Sequence, residues 1–155
     1  MQEKSVVFYC AKSDFFSTAC RLIEKMYAMN ERVLVLCSND EEVDFYNSKL
    51  WTFSRLSFIP SGNRKSLPIE DAEFCHTWFS TDIDFYNKPI NLLHNGLTIS
   101  NIEKLKLFNC ILDVFAANEI DQAKSRSRNY KDIGFDQQKF WVQTDSSWII
   151  GQNLS

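Results

Sequence analysis

Glycine and proline are scarce in this chain: four and three among 155 residues. So few glycines leave little room for a loop whose backbone cradles a phosphate. No stretch reaches the roughly 18 consecutive apolar residues that a membrane-crossing helix requires. Met1-Gln2-Glu3-Lys4 runs straight into an apolar strand pattern, without the hydrophobic core and cleavage site of a secretory leader, so a cytoplasmic protein is expected. The five cysteines (Cys10, Cys20, Cys37, Cys75, Cys110) are odd in number and contain no C-x-x-C pair. They read as free thiols in a reducing compartment, not as a disulfide framework. Charge of either sign is not in large excess: 17 Lys and Arg face 20 Asp and Glu, for a net −3. That balance argues against a protein that coats nucleic acid by global charge, although it leaves room for a local basic patch.

What is present is an ordinary globular composition, 45% apolar and 24% charged, in one domain's worth of chain. Ser5–Cys10 and Arg32–Cys37 are short β-rich runs, the second almost wholly apolar, as in strands buried on both faces of a parallel sheet. Between them Phe16, Ala19, Cys20, Ile23, Met26 and Tyr27 recur at helical spacing. Ser38-Asn39-Asp40-Glu41 is a helix-entry signal, and that helix extends to about Trp51. Leu56–Ile59 reads as a third strand, stopped by the turn cluster Pro60-Ser61-Gly62-Asn63. Phe74–Phe79, Ile90–Leu93 and Asn109–Phe115 are further apolar runs, with a helix expected over 102–108. Glu119–Asp132 is a polar, basic helix ended by Gly134. This alternation predicts a three-layer α/β/α domain with a mostly parallel sheet, Rossmann-like in rhythm. One domain is expected over residues 1–141, and 142–155 reads as a C-terminal tail of unassigned role.

An α/β rhythm invites a nucleotide, so the first strand–helix turn matters. It reads Cys10-Ala11-Lys12-Ser13-Asp14, without glycine, and supports neither a dinucleotide fingerprint nor a P-loop. His76 and His94 have no second ligand at metal spacing, so no metal and no cofactor are expected. No serine occupies a nucleophile elbow, and Asp82 and Asp84 read as a solvated turn. No catalytic residues can be assembled from this inventory.

Two features remain. Lys124-Ser125-Arg126-Ser127-Arg128-Asn129-Tyr130-Lys131 holds four cations and an aromatic without an acid. On a helix Lys124, Arg128 and Lys131 share one face, where a solvated face would normally mix charge signs. Such a face suits an acidic partner. The second feature is Leu50-Trp51 followed by Ser57-Phe58-Ile59-Pro60. Periodicity leaves open whether Trp51 packs inward or anchors a partner.

Through these features the sequence resembles the chi subunit family of bacterial DNA polymerase III holoenzyme. The resemblance runs in order through Phe8-Tyr9, Arg32-Val33-Leu34, Cys37, Leu50-Trp51 and Ser57-Phe58-Ile59-Pro60. It continues through Phe108, Asp113-Val114-Phe115 and Tyr130-Lys131-x-x-Gly134-Phe135 to Trp141. It implies an α/β/α fold that looks nucleotide-binding but lacks the glycine loop, and an accessory subunit without catalysis. It further implies two partners: the psi subunit of the clamp loader and the acidic C-terminal tail of single-stranded-DNA-binding protein, with DNA met only indirectly. By the same resemblance the tail would meet Lys124, Arg126, Arg128 and Tyr130, and psi would meet Trp51 and Phe58. The family usually has an aromatic where this chain has Ser127, and a cation where it has Ile120. Two other readings stand beside the adaptor: an enzyme with an unconventional site around His76, Asp82 and Asp84, and a direct binder of single-stranded nucleic acid.

Overall fold

The computed structural model of the protein describes residues 4–12, 14–49, 52, 59–145 and 147–151. Its element order alternates strands with helices, and the pairings β1 with β6 and β7, and β4 with β2 and β3, are all parallel. The fold is therefore α/β with a mostly parallel sheet and helices, as the three-layer expectation requires. The chain divides into two compact units, residues 19–93 and residues 1–18 with 94–155.

In the first of these units the strand order is β3 (Ser61–Asn63), β4 (Thr77–Ser80), β2 (Val33–Leu36) and the start of β5 (Asn91–Asn95). Every residue of β2 and β4 is buried, which is why both read as unbroken apolar or small-residue runs. Helix α1 (Phe15–Ala28) buries Ala19, Cys20, Leu22, Ile23 and Met26. Helix α2 (Asp40–Lys49) buries Val43 and Tyr46, with Tyr46 stacked on Phe79 at 4.7 Å. Asn39 caps α2 by accepting the Glu42 N–H at 2.9 Å, and Glu42 in turn accepts from Ser38.

One expectation is overturned in this unit. Ser61-Gly62-Asn63, taken as a turn cluster, is β3 and pairs with β4. The reason is steric. A Cβ on Gly62 would lie 2.6 Å from the Leu67 side chain and 3.2 Å from the Trp78 ring, so the bare backbone lets this edge strand lie against both. Of the expected strand Leu56–Ile59, only Ile59 lies within the described residues.

The other unit has the order β6 (Cys110–Ala116), β1 (Ser5–Ala11), β7 (Gln137–Gln143) and β8 (Trp148–Ile150). Three strands are parallel, and β8 folds back antiparallel on β7 through Thr144–Ser147. Asp14 accepts the Ser17 N–H at 2.8 Å and so opens α1. The register sets Val6, Phe8 and Cys10 beside Ile111, Asp113 and Phe115. On the other side they sit beside Gln138, Phe140 and Val142. The helix expected over 102–108 is shorter, α3 being Ile102–Leu105. Residues 137–143 and 148–150, which carried no strand signal in the sequence analysis, are the last two strands.

Helix α4 (Ile120–Asp132) lies on the Phe8 side of this sheet, Tyr130 being 5.9 Å from the Phe8 ring. Its end is a Schellman motif. Phe135 N–H donates to the Tyr130 carbonyl at 3.0 Å, Gly134 N–H to Lys131 at 3.1 Å, and the Tyr130 and Phe135 rings meet at 6.4 Å. Gly134 has φ +100° and nothing within 4 Å of a Cβ placed on it. Replacing Gly134 by Ala therefore tests backbone strain alone: a loss of about 1 kcal/mol in urea unfolding is expected. An unchanged midpoint would show that the left-handed stop is not what ends α4.

Candidate functional site: the basic helix and the network beneath it

The buried positions of α4 are Ala123, Arg126, Ser127 and Tyr130, the three-and-four spacing of a packed helix face. Three of the four are polar, and each finds a partner below. A buried charge without a partner costs several kcal/mol, so the facing strand must supply one. It does so with Asp113, a lone acid inside the apolar strand CILDVFA and fully buried. Arg126 grips it bidentately, Nε to Oδ2 at 2.8 Å and Nη2 to Oδ1 at 2.9 Å. The third guanidinium nitrogen reaches the Gly96 carbonyl at 3.3 Å.

Tyr130 Oη also donates to Asp113 Oδ2, at 2.8 Å. His94 completes the set. Leu97 N–H donates to its Nδ1 at 2.9 Å, so the ring proton sits on Nε2, which donates to Tyr130 Oη at 2.9 Å. Donation thus runs one way, from His94 to Tyr130 to Asp113, with neutral histidine. Burial lowers the His94 pKa, opposed by the Asp113 charge and reinforced by Arg126. Burial also works against the Arg126 charge, but the Asp113 hydrogen bonds and charge outweigh it and raise its pKa. The Tyr130 hydroxyl is pushed well up by burial and by Asp113. Ser127 and Gln138 of β7 share a short hydrogen bond, and Gln138 also donates to the Ser127 carbonyl at 3.0 Å.

The expected tail-binding residues therefore separate into two groups. Lys124 and Arg128 are exposed, and Lys131 continues their stripe. Among the described residues no ion pair engages any of these three; Arg128 leans back only onto the Ser125 hydroxyl, at 3.2 Å. Arg126 and Tyr130, by contrast, are 6% and 3% exposed. The sequence placed them in a surface ridge, and the structure places them underneath it, because Asp113 draws both side chains inward. An apolar cleft lined by Ile99, Ile102, Leu105 and Ile133 opens along the flank of α4 where Arg126 and Asn129 lie. Trp51 and Phe58 lie outside the described residues.

The residues of the enzyme reading are not brought together. His76 directly precedes β4, while Asp82 and Asp84 follow it, so the strand separates them by about 13 Å. The His76 ring is held by Thr77 Oγ1 and the Glu31 carbonyl, both at 2.7 Å, and lies edge-on to Tyr27. Burial raises the Asp84 pKa, as it would in any half-covered turn, and Ser80 and the Tyr86 N–H oppose the shift. Among the described residues no group of three or more His, Cys, Asp or Glu is arranged to hold a metal ion.

The signal that would have exposed the network was in the sequence. Asp113 stands alone in an apolar strand, and Arg126 falls where helical spacing puts Ala123 and Tyr130 inside. Read together, they demand each other.

The fold and site define a class: an α/β protein with nucleotide-binding rhythm, no glycine in its first strand–helix turn, and a cationic helix face as its charged feature. The chain belongs to the family described as DNA polymerase III chi subunit, HolC, whose sequence model matches residues 3–138. A curated relative, the probable DNA polymerase III subunit chi of Rickettsia prowazekii (strain Madrid E), is 34% identical over 64 residues. That stretch is 41% of this chain and 38% of the relative, so the chain matches well under half of that protein's length.

The histidines give a pH prediction. Burial lowers the folded pKa of both His94 and His76 below their ordinary 6.5. As pH falls through that value the unfolded chain takes up protons first. Stability is therefore full above it and declines below it, until the folded histidines protonate in turn. The slope is at most about 1.4 kcal/mol per pH unit for each proton. Urea midpoints measured at about pH 7.5 and 5.5 should fall with pH; equal midpoints would contradict the buried neutral state of both rings.

Proposed function

We propose that the protein is a non-catalytic accessory subunit of the replicative DNA polymerase assembly, working in the cytoplasm as an adaptor. In this reading α4 binds the acidic C-terminal tail of single-stranded-DNA-binding protein. A psi-like clamp-loader subunit binds elsewhere, through Trp51 and Phe58, and DNA is met only through these partners. Membership of the chi family supports the replication role. That no helix among the described residues is long and apolar enough to cross a membrane is compatible with it.

The observation that carries the tail-binding reading is the stripe Lys124, Arg128 and Lys131, exposed on consecutive turns and without acidic partners among the described residues. A carboxylate-rich peptide would replace the missing partners. The apolar cleft on the other flank of the same helix offers its terminal side chain a seat. Arg126 and Tyr130 then act from beneath, as anchors of the helix, not as contacts. Direct single-strand binding is disfavoured by the same geometry: the aromatic of the basic segment, Tyr130, is buried, and stacking platforms need exposed rings.

The test is a titration with a fluorescent peptide copying the acidic C-terminus of the single-stranded-DNA-binding protein, at low and moderate salt. Exposed pairs are screened over about 8–10 Å at physiological ionic strength, so binding should weaken as salt rises. A Lys124→Ala/Arg128→Ala variant should bind about tenfold more weakly or worse. Failure to bind at low salt would overturn the reading.

A further inference from the structure

A helix that needed only to be attached to a sheet would be attached with apolar side chains. Helix α4 instead rests on Asp113, Arg126, Tyr130 and His94, all buried, with a hydrogen bond at every junction. Such buried ionic groups seldom improve stability over apolar residues of the same volume, because desolvation offsets the attraction. What they supply is geometry. Apolar contacts tolerate sliding and rotation, whereas a bidentate guanidinium–carboxylate fork has one satisfactory arrangement.

We propose that Asp113, with Tyr130 and His94, is a register lock that fixes the rotation of α4 and thereby holds Lys124 and Arg128 in the plane where an acidic partner meets them. These are positioning residues. The proposal rests on the tail-binding reading for its functional half, while its structural half stands apart from it.

Successive residues turn by about 100°, so a rotation of one residue would carry Lys124 and Arg128 toward the flanks of the helix. The fork at Arg126 and the hydroxyl at Tyr130, one turn later, fix two points on the same face. Tyr130 Oη must donate to Asp113 because its own acceptor site receives His94 Nε2. His94 can donate only because the Leu97 N–H occupies its other nitrogen. Each member thus settles the orientation of the next, and a slipped helix would leave a buried carboxylate or guanidinium unpaired. The Ser127–Gln138 contact lies on the same side and follows the same register.

The experiment replaces the lock by apolar groups of similar size: His94→Leu, Asp113→Leu, Arg126→Met and Tyr130→Phe in one chain. Leu97 is half-exposed, so water can take over its N–H. The expected variant is folded and melts no lower than the parent. It binds the acidic peptide about tenfold more weakly and loses no more on adding Lys124→Ala. In nuclear Overhauser spectra the contacts from ring 130 to Phe8 and from Ser127 to Gln138 become weak or split into several sets. An Arg126→Lys variant, which keeps the charge but not the fork, should show the same trends more mildly.

Overhauser contacts identical to the parent's, with the Lys124 dependence intact, would overturn the proposal. So would failure of the apolar variant to fold, since the network would then serve folding and not register. If the parent itself binds no peptide, the functional reading fails, and the Overhauser contacts alone still decide whether the lock exists.

Discussion

Everything around α4 depends on one awkward fact: a carboxylate stands in the middle of a buried strand. Asp113 is fully buried between Leu112 and Val114 in β6, and the space it occupies must be made tolerable from outside the strand. The cation comes from thirteen residues further along, the hydroxyl from seventeen, and the histidine from the end of β5. The helix that carries cation and hydroxyl is bound to lie where it does. Its outer face, with three cations in line, is the consequence.

This arrangement also accounts for the division of labour within one short basic segment. Composition treats Lys124, Arg126, Arg128 and Lys131 as equals, but burial does not. A long flexible ammonium is strongly hydrated and stays at the surface, whereas a guanidinium can enter the interior if a carboxylate meets its fork. The inward position on α4 is held by arginine, and the outward positions are shared by lysine and arginine.

Much of the fold was legible in the sequence, because apolar runs and helical spacing are local. SVVFYC and RVLVLC are strands within a residue of where they were expected, and Gly134 ends α4 as its sequence position suggested. The misses were long-range or marginal. SGN looks like a turn because its residues favour turns, and it becomes a strand only because β4 and Trp78 are beside it. QQKFWVQ carries too little apolar alternation to announce a strand, and it forms one against β1. At the site, the exposed cations followed from helical spacing, but the burial of Arg126 and Tyr130 did not, since the residue responsible lies in another element.

The antiparallel return of β8 has its own consequence. A parallel strand at that edge would demand a crossover of a dozen residues or more, whereas a tight turn at Thr144–Ser147 adds one almost without loop. The family match ends at residue 138, inside β7, so this hairpin is built from chain beyond it. β7 thereby has a neighbour on each side, and β7 carries Gln138, which holds Ser127. β8 thus acts as a selvedge: it finishes this margin of the sheet beside the strand that carries Gln138.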